Sequence, residues 1–303
     1  MNKWPSLKQL HYLITLHETR HFGEAAQRCF VSQSTLSKGI QNLEKHFGCT
    51  LYEKQDKKSA LVFTHVGDLV VKQGRELLTK SQDLTALGQL ACGGAMKGQL
   101  RLGAIPTIAP FLLGGLVREV NENFPDLTLL LREDTTTNLL AALQNGQLDV
   151  LVLALPVDIG NLASKVVGRD QFKMVISESQ ANSIKTPLHY SELPDESVFL
   201  LEREHCLTDH AVSACKLTDK SKINPFTATS LHTLVQMVAN GLGMTFIPQM
   251  AIDHGLLAKH ALTVIDPPGK QAYRDIGLVW RPSNTRTETF MQLAQVIKKL
   301  LEK

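Results

Sequence analysis

No stretch of this 303-residue sequence approaches the roughly 20 apolar residues that a membrane-spanning helix needs. Its first residues, Met1-Asn2-Lys3-Trp4-Pro5, also lack the apolar core of a secretory leader. Both absences argue against a membrane or exported protein, and the expectation is a cytoplasmic chain with no membrane partner. Cysteine is scarce: five residues, an odd number at irregular spacing, which excludes the framework of a small secreted disulfide fold. No cysteine and histidine cluster has the spacing of a structural zinc site, so neither a metal nor a cofactor is expected. Disorder is excluded by a hydrophobic content of 43%, enough for ordinary cores in two or three domains.

A large excess of one charge is also missing, since the net charge is only +3, but its distribution is uneven. Up to His65, nine lysines and arginines face five acids, so this segment is +4 and the remainder −1. A small basic module ahead of a larger, nearly neutral one suits contact with a polyanion.

The chain has one concentrated piece of chemistry. Residues 204–215, Glu-His-Cys-Leu-Thr-Asp-His-Ala-Val-Ser-Ala-Cys, set Cys206 and Cys215 nine residues apart with His205 directly before the first. If the run is helical, nine residues rise roughly 14 Å and turn the thiols to opposite faces, whereas a disulfide needs Cα atoms within about 7 Å. Either the two cysteines never meet, or joining them takes the intervening helix apart. A thiolate at Cys206 is favoured by a helix beginning just after it, at Thr208-Asp209. Cys206 and His210 would share a helical face, but Cys215 would point away from both, which argues against a shared metal. Cys29, Cys49 and Cys92 read as small buried hydrophobes.

In the basic module, Leu7, Leu10, Leu13, Ile14 and Leu16 predict a first helix ending near Arg20, and Phe22–Cys29 a short second one. Ser32 is an N-cap for a third helix, Gln33–His46, whose Leu36, Ile40, Leu43 and Phe47 form one buried stripe. Gln33, Ser34, Thr35, Ser37 and Lys38 then lie on its other face, the build of a recognition helix for the major groove. The apolar runs 50–54 and 61–64 flank a basic tip, a β-hairpin wing whose lysines, Lys54 among them, lie along phosphates. From Val66 to Ala91 an uninterrupted apolar seam predicts one long helix, and the glycine-rich run 92–98 a hinge. Beyond it, strands and helices alternate from Gln99 to Leu155 and again from Phe172 to Ile247, and the chain returns through strand 276–281 and a last helix, 288–302. Alternation of this kind predicts two α/β lobes.

The runs Phe22-Gly23-Glu24-Ala25-Ala26 and Val31-Ser32-Gln33-Ser34-Thr35-Leu36-Ser37, followed by Ile40, Leu43-Glu44, Gly48, Leu51, Glu53-Lys54, Thr64 and Gly67, resemble the LysR-type transcriptional regulators. The resemblance implies a winged helix-turn-helix over 1–65, a dimerising linker helix over 66–91, a hinge over 92–98 and a two-lobed, periplasmic-binding-protein-like regulatory domain over 99–303. It also implies double-stranded DNA with two-fold-related sites, RNA polymerase as a partner, and a homotetramer built from dimers. Ser34 and Lys54 stand where the family usually has proline and arginine.

Within the family, Ala104-Ile105-Pro106-Thr107, the run 133–136, His205-Cys206-Leu207 with Cys215, Ala228-Thr229-Ser230-Leu231 and Gly277-Leu278-Val279-Trp280-Arg281-Pro282 resemble the peroxide-sensing members. That implies a hydrogen-peroxide sensor with redox-active Cys206 and Cys215. Thr107, Thr136 and His205 would hold the peroxide, Arg281 would stabilise the thiolate, and a thiol reductant such as glutaredoxin or thioredoxin would reset it. Those members have glycine and arginine where this chain has Glu204 and Thr208, and both changes disfavour a nearby thiolate. The alternatives are a LysR regulator binding an organic metabolite between its lobes and, from another class, a thiol peroxidase. Against the enzyme stands the basic front module.

Overall fold

The structure, a computed structural model, describes residues 4–54, 61–93, 95–181, 189–202, 206–268 and 272–302, with the backbone alone at 54, 82, 83, 86–93 and 206. The chain divides into two compact units, one over residues 1–88 with 145–147, the other over 89–144 with 148–303.

In the first unit, α1 (Leu7–Thr19), α2 (Phe22–Arg28) and α3 (Gln33–Phe47) pack around Leu10, Leu13, Leu16, Ala25, Leu36, Ile40 and Leu43. Small Ala25 and Ala26 on α2 are buried where α1 and α3 meet it. Ser32 caps α3 by accepting the Thr35 N–H at 3.2 Å. Gly48 ends the helix at φ +67°, a left-handed conformation that glycine adopts without a Cβ penalty. The expected stripe on α3 holds through Leu43 and fails at Phe47, which is 40% exposed because it is the last helical residue before that turn. The wing pairs β1 (Tyr52–Lys54) with β2 (Leu61–Phe63) antiparallel, Tyr52 opposite Phe63. Its tip, 55–60, lies outside the described residues. The following helix, α4 (His65–Gly93), includes Cys92 and Gly93, which composition had placed in a hinge.

In the second unit, β3 (Gly98–Ala104), α5 (Ala109–Asn123), β4 (Leu127–Glu133), α6 (Thr136–Gln144) and β5 (Val150–Leu155) alternate, and the three strands run parallel. The 15-residue strand β6 (Ala163–Ser177) starts well before the predicted Phe172. After α7 (Glu178–Ala181) come β7 (Val198–Leu201), α8 (Cys206–Ala214), β8 (Ile223–Ala228), α9 (Leu231–Ala239), β9 (Met244–Pro248), α10 (Gln249–Asp253) and β10 (Leu262–Ile265). The return strand β11 (Tyr273–Trp280) and α11 (Thr287–Leu301) close the unit.

Among the described residues one nine-stranded sheet results, ordered β4-β3-β5-β11-β6-β9-β7-β8, with β10 also on β6. β6 joins the halves: residues up to Gln171 pair with β11 beside β5, and those from Phe172 pair with β9. The first half carries α5, α6 and α11, the second α9 and α10, which gives the two lobes of the regulatory fold. Because β3, β4 and β5 are parallel, the loops after their carboxyl ends gather at one edge, where α/β sheets place ligands. Thr107, Thr136 and Pro156 all follow those ends.

Candidate functional site

The arrangement at this edge begins with two charged residues placed in phase with apolar ones. On β11, Arg274 shares a face with Ile276 and Leu278; on β6, Asp170 shares one with Phe172 and Met174. They are also direct cross-strand partners in the β6–β11 register. Arg274 donates from Nε (3.0 Å) and Nη2 (2.9 Å) to Asp170 Oδ2, with the side chains 0% and 2% exposed. The other Asp170 oxygen accepts the Met250 N–H at 3.0 Å, at the start of α10. Arg274 then reaches Thr107, donating from Nη1 to its hydroxyl (2.8 Å) and from Nη2 to its carbonyl (3.0 Å). All three nitrogens of the buried guanidinium thus donate to an acceptor.

This fixes what Thr107 does. Its hydroxyl oxygen accepts from a cation, so its own proton is left for another acceptor. Thr136, in the first turn of α6, is 8% exposed, and its Oγ1 has no hydrogen-bond partner among the described residues. Asp134 shapes the turn before it, accepting from Thr135 N–H (2.8 Å) and Asn138 Nδ2 (2.7 Å). Two threonine hydroxyls with unused capacity therefore follow adjacent parallel strands.

Arg281 is elsewhere, a correction to its expected role. It follows Trp280, which pairs with Val150 at the beginning of β5, whereas Arg274 neighbours Asp275, which pairs with Leu155 at the end. Seven steps along the extended chain separate the two arginines by roughly 23 Å. Arg281 Nη1 binds the Leu143 and Leu148 carbonyls instead and holds the α6–β5 connection. Arg274 is the arginine at the threonine edge. A charge in phase with a buried strand face was the signal that could have found it, and Asp170 with it.

The helix α8 begins at Cys206 itself rather than after it, and Cys215 is the residue that follows its end. Nine residues of α-helix hold their Cα atoms roughly 14 Å apart, about twice the reach of a disulfide. Cys215 is a free, fully buried thiol. Burial pushes its pKa up to about 12, and the Tyr190 hydroxyl, which faces the sulfur, pulls weakly the other way. Tyr190 is raised too, by burial and by Cys215, and packs edge-on against Phe246. Within the first turn of α8, Thr208 donates to the Leu201 carbonyl at 2.7 Å, so its hydroxyl anchors the helix to β7. His210 binds the Pro156 carbonyl at 2.8 Å through Nε2. His205 and Glu204 lie outside the described residues, as does the Cys206 side chain.

On α3, Gln33, Ser34, Thr35 and Lys38 are exposed and Ser37 half-exposed. Ser32 is engaged in the cap, and its oxygen also meets Ser34 Oγ (2.9 Å) and Thr35 Oγ1 (2.8 Å). Lys54 ends β1. Cys29 and Cys49 are half-buried against the core of their unit rather than fully inside it. No group of three metal-ligating side chains occurs among the described residues, and no described helix is long and apolar enough to cross a membrane.

A winged helix-turn-helix joined in sequence to a two-lobed α/β domain defines a class of DNA-binding regulator. Residues 7–68 match the bacterial regulatory helix-turn-helix of the lysR family, and residues 93–302 match the LysR substrate binding domain. The chain belongs to the LysR family of transcriptional regulators. It is 37% identical to the HTH-type transcriptional regulator EstR of Acinetobacter baylyi, over 98% of this chain and 97% of that one. It is 73% identical to the reduced regulatory domain of OxyR2 from Vibrio vulnificus, with a TM-score of 0.68, covering 68% of this chain and 97% of that one. A hydrogen-peroxide-bound variant of OxyR from Corynebacterium glutamicum is 30% identical, with a TM-score of 0.65, covering all of this chain and 94% of the other.

Two measurements test this geometry. Asp170→Ala leaves the Arg274 guanidinium buried without its counter-ion and should destabilise the chain by about 3–5 kcal/mol in urea unfolding, while Asp170→Leu/Arg274→Met should recover most of that loss. The second is pH dependence. A thiol protonated in the fold and free to ionise near pH 9 when unfolded stabilises fully at lower pH. That contribution is lost as pH rises from 9 toward 12. Between pH 9 and 10, below the range of Tyr190, stability should fall by up to about 1.4 kcal/mol per pH unit. Cys215→Ala should remove that slope.

Proposed function

We propose that this regulator senses hydrogen peroxide through reversible formation of a Cys206–Cys215 disulfide and controls genes of the oxidative-stress response. The observation that carries the reading is the placement of two cysteines at the two ends of α8, one of them sealed in the core. An intact helix keeps the thiols apart, so bonding them must change the shape of the segment between β7 and β8.

The chemistry balances in two steps. Peroxide oxidises the Cys206 thiol to a sulfenic acid, releasing one water; the Cys215 thiol condenses with it, forming the S–S bond and releasing a second. The Thr107 proton and the Thr136 hydroxyl are suited to hold the peroxide oxygens, with His205, the residue before Cys206 in sequence, assisting. Arg274, rather than Arg281, orients Thr107. Burial holds the Cys215 thiol protonated, with its pKa pushed up to about 12, so its reaction requires release from the buried pocket. A dithiol reductant of the glutaredoxin or thioredoxin type returns both thiols. The likeness to OxyR2 across the regulatory domain and to the peroxide-bound OxyR supports the reading.

The rearrangement re-spaces DNA-binding heads in a homotetramer, each head presenting Gln33, Ser34, Thr35, Ser37 and Lys38 to the major groove, with Ser32 at the cap and Lys54 on the wing. RNA polymerase is the partner at the promoter. The likeness to EstR favours a second reading, a regulator that binds an organic molecule between its lobes.

Mass spectrometry after micromolar peroxide separates the two. The proposal expects a two-hydrogen loss mapping to Cys206 and Cys215, and loss of the response in Cys206→Ser with DNA binding retained. An unmodified pair, or a fully responsive Cys206→Ser protein, would contradict it. Sustained turnover of peroxide with a reductant would indicate a thiol peroxidase.

A further inference from the structure

The turn between α2 and α3 departs from ordinary folding rules twice at one residue. α2 closes with a pair of hydrogen bonds, from the Phe30 N–H to the Gln27 carbonyl (3.1 Å) and from the Val31 N–H to the Ala26 carbonyl (3.0 Å). Cys29 is the C-cap, and a closure of this form needs the next residue in the left-handed region, where glycine is the usual occupant because it has no Cβ to clash. The chain has phenylalanine there, at φ +55°. The same side chain is 95% exposed, more than any other large apolar side chain described.

Neither property helps the fold. A bulky residue is strained in this backbone region, and a ring left in water forgoes the burial that usually justifies an aromatic. The other left-handed non-glycine residues described, Arg20, Glu196 and Lys216, carry charged side chains for which exposure is ordinary. Val31 packs against the core of the unit, so the turn is anchored without Phe30. An outlier with no structural gain marks a position kept for function.

Its neighbours say which. Phe30 stands two residues ahead of Ser32, the cap of α3, and the exposed Gln33, Ser34 and Thr35 follow directly. The ring therefore continues the polar face of α3 past its beginning. When the first turn of a recognition helix enters the major groove, the helix before it crosses the backbone, and the turn joining them lies at the edge of the groove. What that edge offers an uncharged ring is the apolar face of a deoxyribose.

We infer that Phe30 is a DNA-contacting residue whose ring packs on a backbone deoxyribose where α3 enters the groove. The contact reads no base and neutralises no phosphate; it adds affinity and helps to seat α3. The inference rests on the reading of α3 as the recognition helix.

The test is titration of the full chain with two labelled duplexes, one selected by the wild-type protein from random sequence and one with that sequence scrambled, from about 50 to 200 mM salt. Phe30→Asn removes the ring and places in the turn a residue that accepts a left-handed backbone. Covering a third of a phenyl ring is equivalent to about tenfold in affinity, so the variant should bind both duplexes about tenfold more weakly. Its salt dependence should match wild type, because no counterion release is lost. Its urea midpoint should be no lower than wild type, and Phe30→Tyr, which keeps the ring, should bind as wild type does. Undiminished affinity of Phe30→Asn would overturn the contact, including the case in which transcription alone is lost and the ring belongs to RNA polymerase. A loss confined to the selected duplex, or a lowered urea midpoint, would overturn it as well, by assigning the ring to bases or to the fold. Gln33→Ala and Lys38→Ala test the underlying reading separately: if both bind the selected duplex as wild type does, α3 is not the recognition helix.

Discussion

A guanidinium sealed from water must find its acceptors inside the fold, and Arg274 finds them on two separate segments, Asp170 on β6 and Thr107 after β3. Asp170 in turn accepts the Met250 N–H in the first turn of α10. β6 is the strand shared by the two halves of the sheet, and Asp170 lies just before the point where its pairing passes from β11 to β9, so the ion pair sits where the halves join. Buried pairs of this kind add little net stability over an apolar replacement, and their value here is geometric. The pair determines where the Thr107 proton points, and so what the threonine edge can bind.

Thr208 fits this arrangement differently from the expectation drawn from the sequence: its hydroxyl is bound to Leu201 and fastens the start of α8 to the sheet.

Much of the fold was legible in the sequence because period and length are strong signals over long segments. The helices around Leu36, Ile40 and Leu43 and the strand–helix alternation from Gln99 to Leu155 were read from periodicity alone. The first half of β6 was missed because Ala163–Gln171 mixes polar and apolar residues in a strand whose partner, β11, is a hundred residues distant. In the site, the cysteines stood out by their spacing and by His205 before the first, whereas the threonines were found by resemblance to a motif. Arg281 was named because it lay within the matched run, and only strand direction reveals that it occupies the far end. Tyr190 carries no local signal: it meets Cys215 only after the sheet has brought distant segments together.

Everything in the proposed switch depends on α8 being incompatible with the bond between its ends. Hydrogen–deuterium exchange of the full chain before and after stoichiometric peroxide measures this directly. The amides of 207–215 should be protected in the reduced protein, lose protection when the Cys206–Cys215 disulfide forms and regain it on reduction. A disulfide that forms while those amides stay protected would contradict the account.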